Sequence, residues 1–375
     1  MSRMSGRVQV SRWLPAALIP AVIVAGAVIV PLGASAAVDL PDIAPDELLE
    51  LVATSTVDAF SGTIEQRSDL GLPDLSGAVG ASAGPGAGSG PDVASALGLL
   101  TGSHIARVFA DGPDLARVQV FDQLAERNIV RNGDEIWFYD SSDRTATHLV
   151  LPADYPERAD AAVPDAGEVP TPRELADRVL ADRVLTELDP TTVVTVGTDA
   201  TVAGRSAYEL VLTPRDTQTL VGAVSIAVDS ETGLPLAFEI LARGQDAPAF
   251  RVAFTDLRLE SPSAELFAFV PPPGATVIEH TVPAGPKPNY GTGNGTVEAP
   301  DNTVSGEGWS SIVELPAADL PADLVESPLS TAATEPVDGG RLLRTALVNV
   351  LLTDDGRLFV GAVSPERLLD AAKGR

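Results

Sequence analysis

The residues able to do chemistry are few. His104, His148 and His280 are the only histidines. Two lie on strand-like runs and none stands at metal-ligand spacing from another, so they read as structural or surface groups. The chain has no cysteine, which excludes disulfides, thiol nucleophiles and zinc–thiolate sites. A serine nucleophile on a strained elbow would need Gly-x-Ser-x-Gly, which does not occur. The stretch Gly84-Pro85-Gly86-Ala87-Gly88-Ser89-Gly90 precedes neither a helix nor Lys-Ser/Thr and offers no phosphate cradle. Asp140 and Asp143 bracket one turn, and Asp354 and Asp355 another. Without an Asp-x-Asp-x-Asp-Gly loop, turn chemistry explains these acids better than calcium does. Carboxylate pairs suited to acid–base hydrolysis are too numerous in so acidic a chain to rank. The expectation is a protein with no catalytic residue, metal or cofactor.

Apolar chemistry is better marked. Ile136-Trp137-Phe138-Tyr139 is a strand-like run, so Ile136 and Phe138 point to one face and Trp137 and Tyr139 to the other. Indole N–H and phenol O–H groups want polar partners, which suits the wetter face. Ile136 and Phe138 suit the dry one, and Val118 and Val120 share a face in the same way. These four are the candidate lining of an apolar ligand cavity. Plain core packing accounts for them equally well.

The elements around them follow from turn and cap signals. Ala44-Pro45-Asp46-Glu47 opens a short helix with Leu48, Leu49, Leu51 and Val52 as its apolar stripe. Phe60 to Gln66 reads as a strand, followed by a Gly/Ala/Ser/Pro-rich loop from Gly71 to Pro91. Strands are predicted at 105–110, 115–121, 126–130, 135–139 and 145–151, and again at 192–196, 207–212, 223–228, 236–241 and 250–259. Asp111-Gly112-Pro113-Asp114 and Asn132-Gly133-Asp134 supply hairpin turns. Between the two sets, Thr171-Pro172-Arg173-Glu174 is a capping box that starts a helix, which Asp189-Pro190 stops. The fold class is α+β with an antiparallel sheet.

At the N-terminus, Arg3, Arg7 and Arg12 precede an apolar run from Leu14 to Leu32, and Ala34-Ser35-Ala36 follows. This is the pattern of a secretory signal peptide over residues 1–36, either cleaved or retained as a membrane anchor. The net charge is −27, and −30 without those three arginines. So acidic a chain, lacking a basic patch, excludes nucleic acid as a partner. Residues 37–280 form the main domain. Residues 281–307, rich in Gly, Pro, Asn and Thr, read as a flexible linker. Residues 308–375 form a small C-terminal region, with a hairpin of 344–352 and 358–363 and a helix capped by Ser364-Pro365-Glu366. One hairpin and one helix bury little surface alone, so this unit should dock on the main domain or on a partner.

The run Asn132-Gly133-Asp134-Glu135-Ile136-Trp137-Phe138-Tyr139, followed by Thr145-Ala146-Thr147, resembles a hairpin of the bacterial lipoprotein-carrier and lipoprotein-sorting superfamily. Phe60-Ser61-Gly62-Thr63, Asp229 to Pro235 and Phe267 to Pro272 are similar, in order, to further pieces of that family, so the likeness spans about Pro45 to Val277. Actinobacterial lipoprotein-sorting-like proteins look most similar; the superfamily also includes mycobacterial lipid-binding lipoproteins and a two-domain periplasmic regulator of anti-sigma factors. The resemblance implies a strongly curved antiparallel sheet, an incomplete barrel wrapped over helices around an apolar cavity. It implies an extracytoplasmic, non-enzymatic carrier or chaperone whose partners are lipid or lipoprotein acyl chains. The alternative it implies is an envelope-stress sensor whose partner is a membrane protein of the anti-sigma type. Where the carrier has an Arg before the Pro of its early hairpin, this chain has Gly112 before Pro113, and Arg107 lies several residues away. A lid-locking Arg therefore does not carry over.

Overall fold

A computed structural model describes residues 39–72, 102–121, 125–151, 171–173, 176, 191–281, 303–316 and 333–374. The signal-peptide segment, most of the Gly-rich loop, most of the helix predicted from Thr171 and most of the predicted linker lie outside these residues. Of that helix, Pro172, Arg173 and Ala176 are helical, and Ala176 is buried in the main core.

Helix α1 (Pro45–Ala53) begins where Pro45 costs no helical hydrogen bond, and the Glu47 carboxylate accepts the Ala44 N–H at 3.1 Å. Its buried residues Leu48 and Val52 stand one turn apart, on one stripe, and join the main core. Thirteen strands follow in one sheet. They are β1 (Ala59–Ser68), β2 (Gly102–Asp111), β3 (Leu115–Phe121), β4 (Glu126–Asn132), β5 (Glu135–Asp140), β6 (Thr145–Val150) and β7 (Thr192–Val196), then β8 (Ala200–Val202), β9 (Arg205–Pro214), β10 (Val221–Asp229), β11 (Pro235–Ala242), β12 (Pro248–Arg258) and β13 (Thr276–Thr281). Their order is β13-β6-β5-β4-β3-β2-β1-β12-β11-β10-β9-β7, with β8 on the edge of β9. The sheet is large, curved and unclosed. All its pairings are antiparallel except that of β13 with β6, which is parallel.

The alternation of β1–β3 separates the two faces. Ile64, Ala106, Val108, Val118 and Val120 are buried on the inner face, where α1 packs, while Ile105, Arg107 and Phe121 are exposed on the outer. Two glycines of the family-like motifs have a steric reason. A Cβ on Gly62 would lie 2.7 Å from the Asp256 carbonyl and 2.8 Å from the Phe254 ring. Gly233, at φ 72°, would put one 2.1 Å from the Leu51 carbonyl of α1. Beside it, Asp229 accepts hydrogen bonds from Arg205, the Glu231 and Thr232 N–H groups and the Thr232 hydroxyl, which fixes the β10–β11 turn.

The C-terminal region is larger than a hairpin and a helix. Strands β14 (Thr303–Ser305), β15 (Ile312–Pro316), β16 (Glu335–Val337), β17 (Gly340–Leu343), β18 (Asn349–Thr353) and β19 (Arg357–Gly361) form a second sheet, ordered β14-β15-β19-β18-β17-β16. Helix α2 (Pro365–Ala372) places Leu368 on it, against Ile312, Leu342, Leu351 and Phe359. Strand β14 falls inside the stretch read as linker, because among the described residues its pairing partners come only from β15. The first arm of the predicted hairpin is broken at Thr345, whose hydroxyl oxygen accepts the Leu347 and Val348 N–H groups and holds a turn. That turn puts Leu347 into the core of the main sheet. The Leu220 N–H donates to the Ala362 carbonyl at 2.8 Å, and the Trp309 indole N–H donates to Thr192 Oγ at 2.8 Å. The unit is thereby docked on the β7–β10 end of the sheet.

Candidate functional site

The strand register brings the sequence-selected residues to one place. Val118 stands opposite Ile129 of β4, and Ile129 opposite Phe138 of β5. Directly paired residues share a face, so Val118, Ile129 and Phe138 form one lateral row on the inner side. Ile136 lies next along β5, and Val120 next along β3. Val120 and Ile136 are 1% and 2% exposed, whereas Phe138 and Ile129 are half-buried. Ile129 belongs to this patch and escaped the sequence reading. Its neighbours in the chain, Asn128 and Val130, face the other way, and only pairing with β3 and β5 reveals its company. Towards one end of the patch, Arg127 and Asp140 stand opposite one another, giving the apolar row a charged margin.

The outer side of the same strands is also covered. After β12 the chain crosses it, and Phe269 packs against Trp137 and Tyr139 at ring-centroid distances of 5.4 and 5.9 Å. Trp137 and Tyr139, expected on a wetter face, are accordingly half-buried. Arg117 pins the crossing segment: its guanidinium donates to the Leu266 carbonyl at 2.9 Å and to Asn128 Oδ1 at 3.0 Å. Burial, partly offset by the charge of Glu126, holds this guanidinium below its ordinary value. Arg107 lies over the Phe121 ring at 5.2 Å on the outer face, away from the inner patch. Asp140 and Asp143 each accept a backbone N–H two residues on, from Ser142 and Thr145. Among the described residues, no cluster of three His, Asp or Glu side chains could hold a metal ion.

Residues 93–270 match the family model of the MucB/RseB N-terminal domain. Over this stretch, just under half of the chain, the sequence is similar to that family. The matched segment takes in Val118, Val120, Ile129, Ile136 and Phe138. Among solved structures, a chain of the Pseudomonas aeruginosa MucA/MucB complex is 17% identical, with 88% of this chain and 96% of that one covered at a TM-score of 0.42. An uncharacterised conserved protein from Thermus thermophilus is 12% identical over 63% of this chain and 98% of that one, at 0.34. A LolA-superfamily protein from Nitrosomonas europaea is 12% identical over 61% and 99%, at 0.23. No curated protein matches the chain. Among the described residues, no helix is long and apolar enough to cross a membrane.

Proposed function

We propose that this protein works outside the cytoplasm as a non-enzymatic binding protein, holding a lipid or the acyl chains of a lipidated protein on the inner face of its main sheet. The observation that carries this reading is the lateral row Val118–Ile129–Phe138, flanked by Val120 and Ile136, within the segment that matches the MucB/RseB N-terminal domain. An acyl chain needs a wall without unpaired polar groups, and the side chains of these five residues carry none. Each buried methylene would contribute about 0.8 kcal/mol. Native mass spectrometry of protein purified without detergent should show co-purifying lipid, and a fluorescent fatty acid should bind. A ligand-free protein that ignores the probe would overturn the reading.

A second reading is regulatory, with a membrane protein of the anti-sigma type as partner. The docked C-terminal sheet favours it, because that unit adds a second surface that lipid capture does not require. Cross-linking in cells separates the two. A protein partner lost with Leu347→Asp, which undocks the unit, supports regulation; lipid capture indifferent to that change supports carriage.

A further inference from the structure

The edge of the main sheet carries an arrangement that ligand binding does not use. On the outer face, Trp137 of β5, His148 of β6 and Glu279 of β13 stand side by side across the strands. The His148 ring lies flat on Trp137, 4.1 Å between centroids and 9° between planes. Its Nδ1 is 2.7 Å from Glu279 Oε2, while its Nε2 lies 4.0 Å from Glu135 Oε2. Only 14% of the side chain is exposed, and Nε2 is buried with no hydrogen-bond partner.

A buried polar atom without a partner needs an explanation. In a neutral ring one nitrogen is always a bare acceptor. Placed at Nε2, its lone pair faces the Glu135 carboxylate; placed at Nδ1, it faces that of Glu279. Only the imidazolium presents an N–H to both. The titratable groups on this side are Glu135 and Tyr139 from β5 and Glu279 from β13, while β6 itself adds Ala146 and Val150. The crossing segment contributes the uncharged Phe269, which packs on Trp137.

We propose that His148 is a proton-gated clamp that holds β13 on the end of the main sheet. Protonation adds an N–H aimed at Glu135 and sets a positive charge beside Glu279; deprotonation removes that charge and leaves a single hydrogen bond from a neutral ring to one of the two carboxylates. Release of β13 uncovers the backbone edge of β6, a template for another extended segment.

Amide hydrogen exchange across residues 276–281 of the full chain, corrected for the intrinsic effect of pH, tests this. From mildly acidic to mildly alkaline solution, protection of β13 should fall by about threefold, the size expected when an ion pair to a largely exposed carboxylate is lost. His148→Gln and Glu279→Gln should each remove that dependence. His280→Gln, on the other face of the same strand, should keep it. Protection that does not change with pH in the parent chain, or a dependence that survives Glu279→Gln or vanishes with His280→Gln, overturns the clamp.

Discussion

Truncating Phe138 and Ile136 separately distinguishes a cavity wall from a packed core. Ile136 is 2% exposed, so Ile136→Ala leaves a void among close neighbours and should cost about 3 kcal/mol. Phe138 shares its face but is half-buried. A fully enclosed phenyl would cost about 3–5 kcal/mol on truncation, and a ring bordering open space should cost about 1–2 kcal/mol. Its contribution belongs to the ligand instead. If the ring covers two acyl methylenes at about 0.8 kcal/mol each, Phe138→Ala weakens binding by about fifteenfold. Tyr139→Ala, whose ring packs on Phe269 on the outer side, should lose stability and keep binding. Urea denaturation gives the stabilities, and titration with a fluorescent fatty acid gives the affinities. A Phe138→Ala variant as destabilised as Ile136→Ala, with uptake unchanged, would show that the patch is plain core. Loss of uptake confined to Tyr139→Ala would place the ligand on the wrong side of the sheet.

Asp229→Ala should cost about 3 kcal/mol, towards the low end for a broken buried pair because Arg205 is partly exposed and also reaches Glu231. Burial raises the Asp229 carboxyl, but Arg205 and Thr232 outweigh it and hold it below the usual carboxylate range. Its contribution is therefore present above the unfolded value, near pH 4, and fades as pH falls through the lowered folded value, so parent and variant should converge in acid melts. Glu239 has the opposite sign. Burial, only partly countered by Arg251, raises its carboxyl, so the stability linked to it is fully present below the unfolded value and is lost as pH rises. Glu239→Gln should be neutral or stabilising at pH 7 in denaturant melts; a clear destabilisation there would mean that the Arg251 pair dominates. Leu347→Ala should cost about 2–3 kcal/mol and split thermal unfolding into two transitions, since this side chain, 6% exposed, joins the C-terminal unit to the main core. A single calorimetric transition at an unchanged temperature would contradict that role.

Much of this molecule is local. Alternation and turn residues placed β3 and β7 to the residue, and the other predicted strands of the main sheet to within a few positions, because a half-buried strand writes its period into the chain. Pro45 and Glu47 announced α1 because a helix start is decided by its own first turn. The same period put Ile136 and Phe138 on one face and Trp137 and Tyr139 on the other. Elements whose stability comes from partners far along the chain were silent. Strand β13 exists by parallel pairing with β6, more than a hundred residues earlier, and among the described residues β14 pairs only with β15. The polar segments 276–281 and 303–305 carry no alternation to betray them. Ile129 gained its place in the inner row from β3 and β5, and Phe269 its place over Trp137 from the crossing of the sheet. The side chains that can stand on each face are settled by the period of the strand; their neighbours are settled by register and sheet order, which arise from the simultaneous pairing of all the strands.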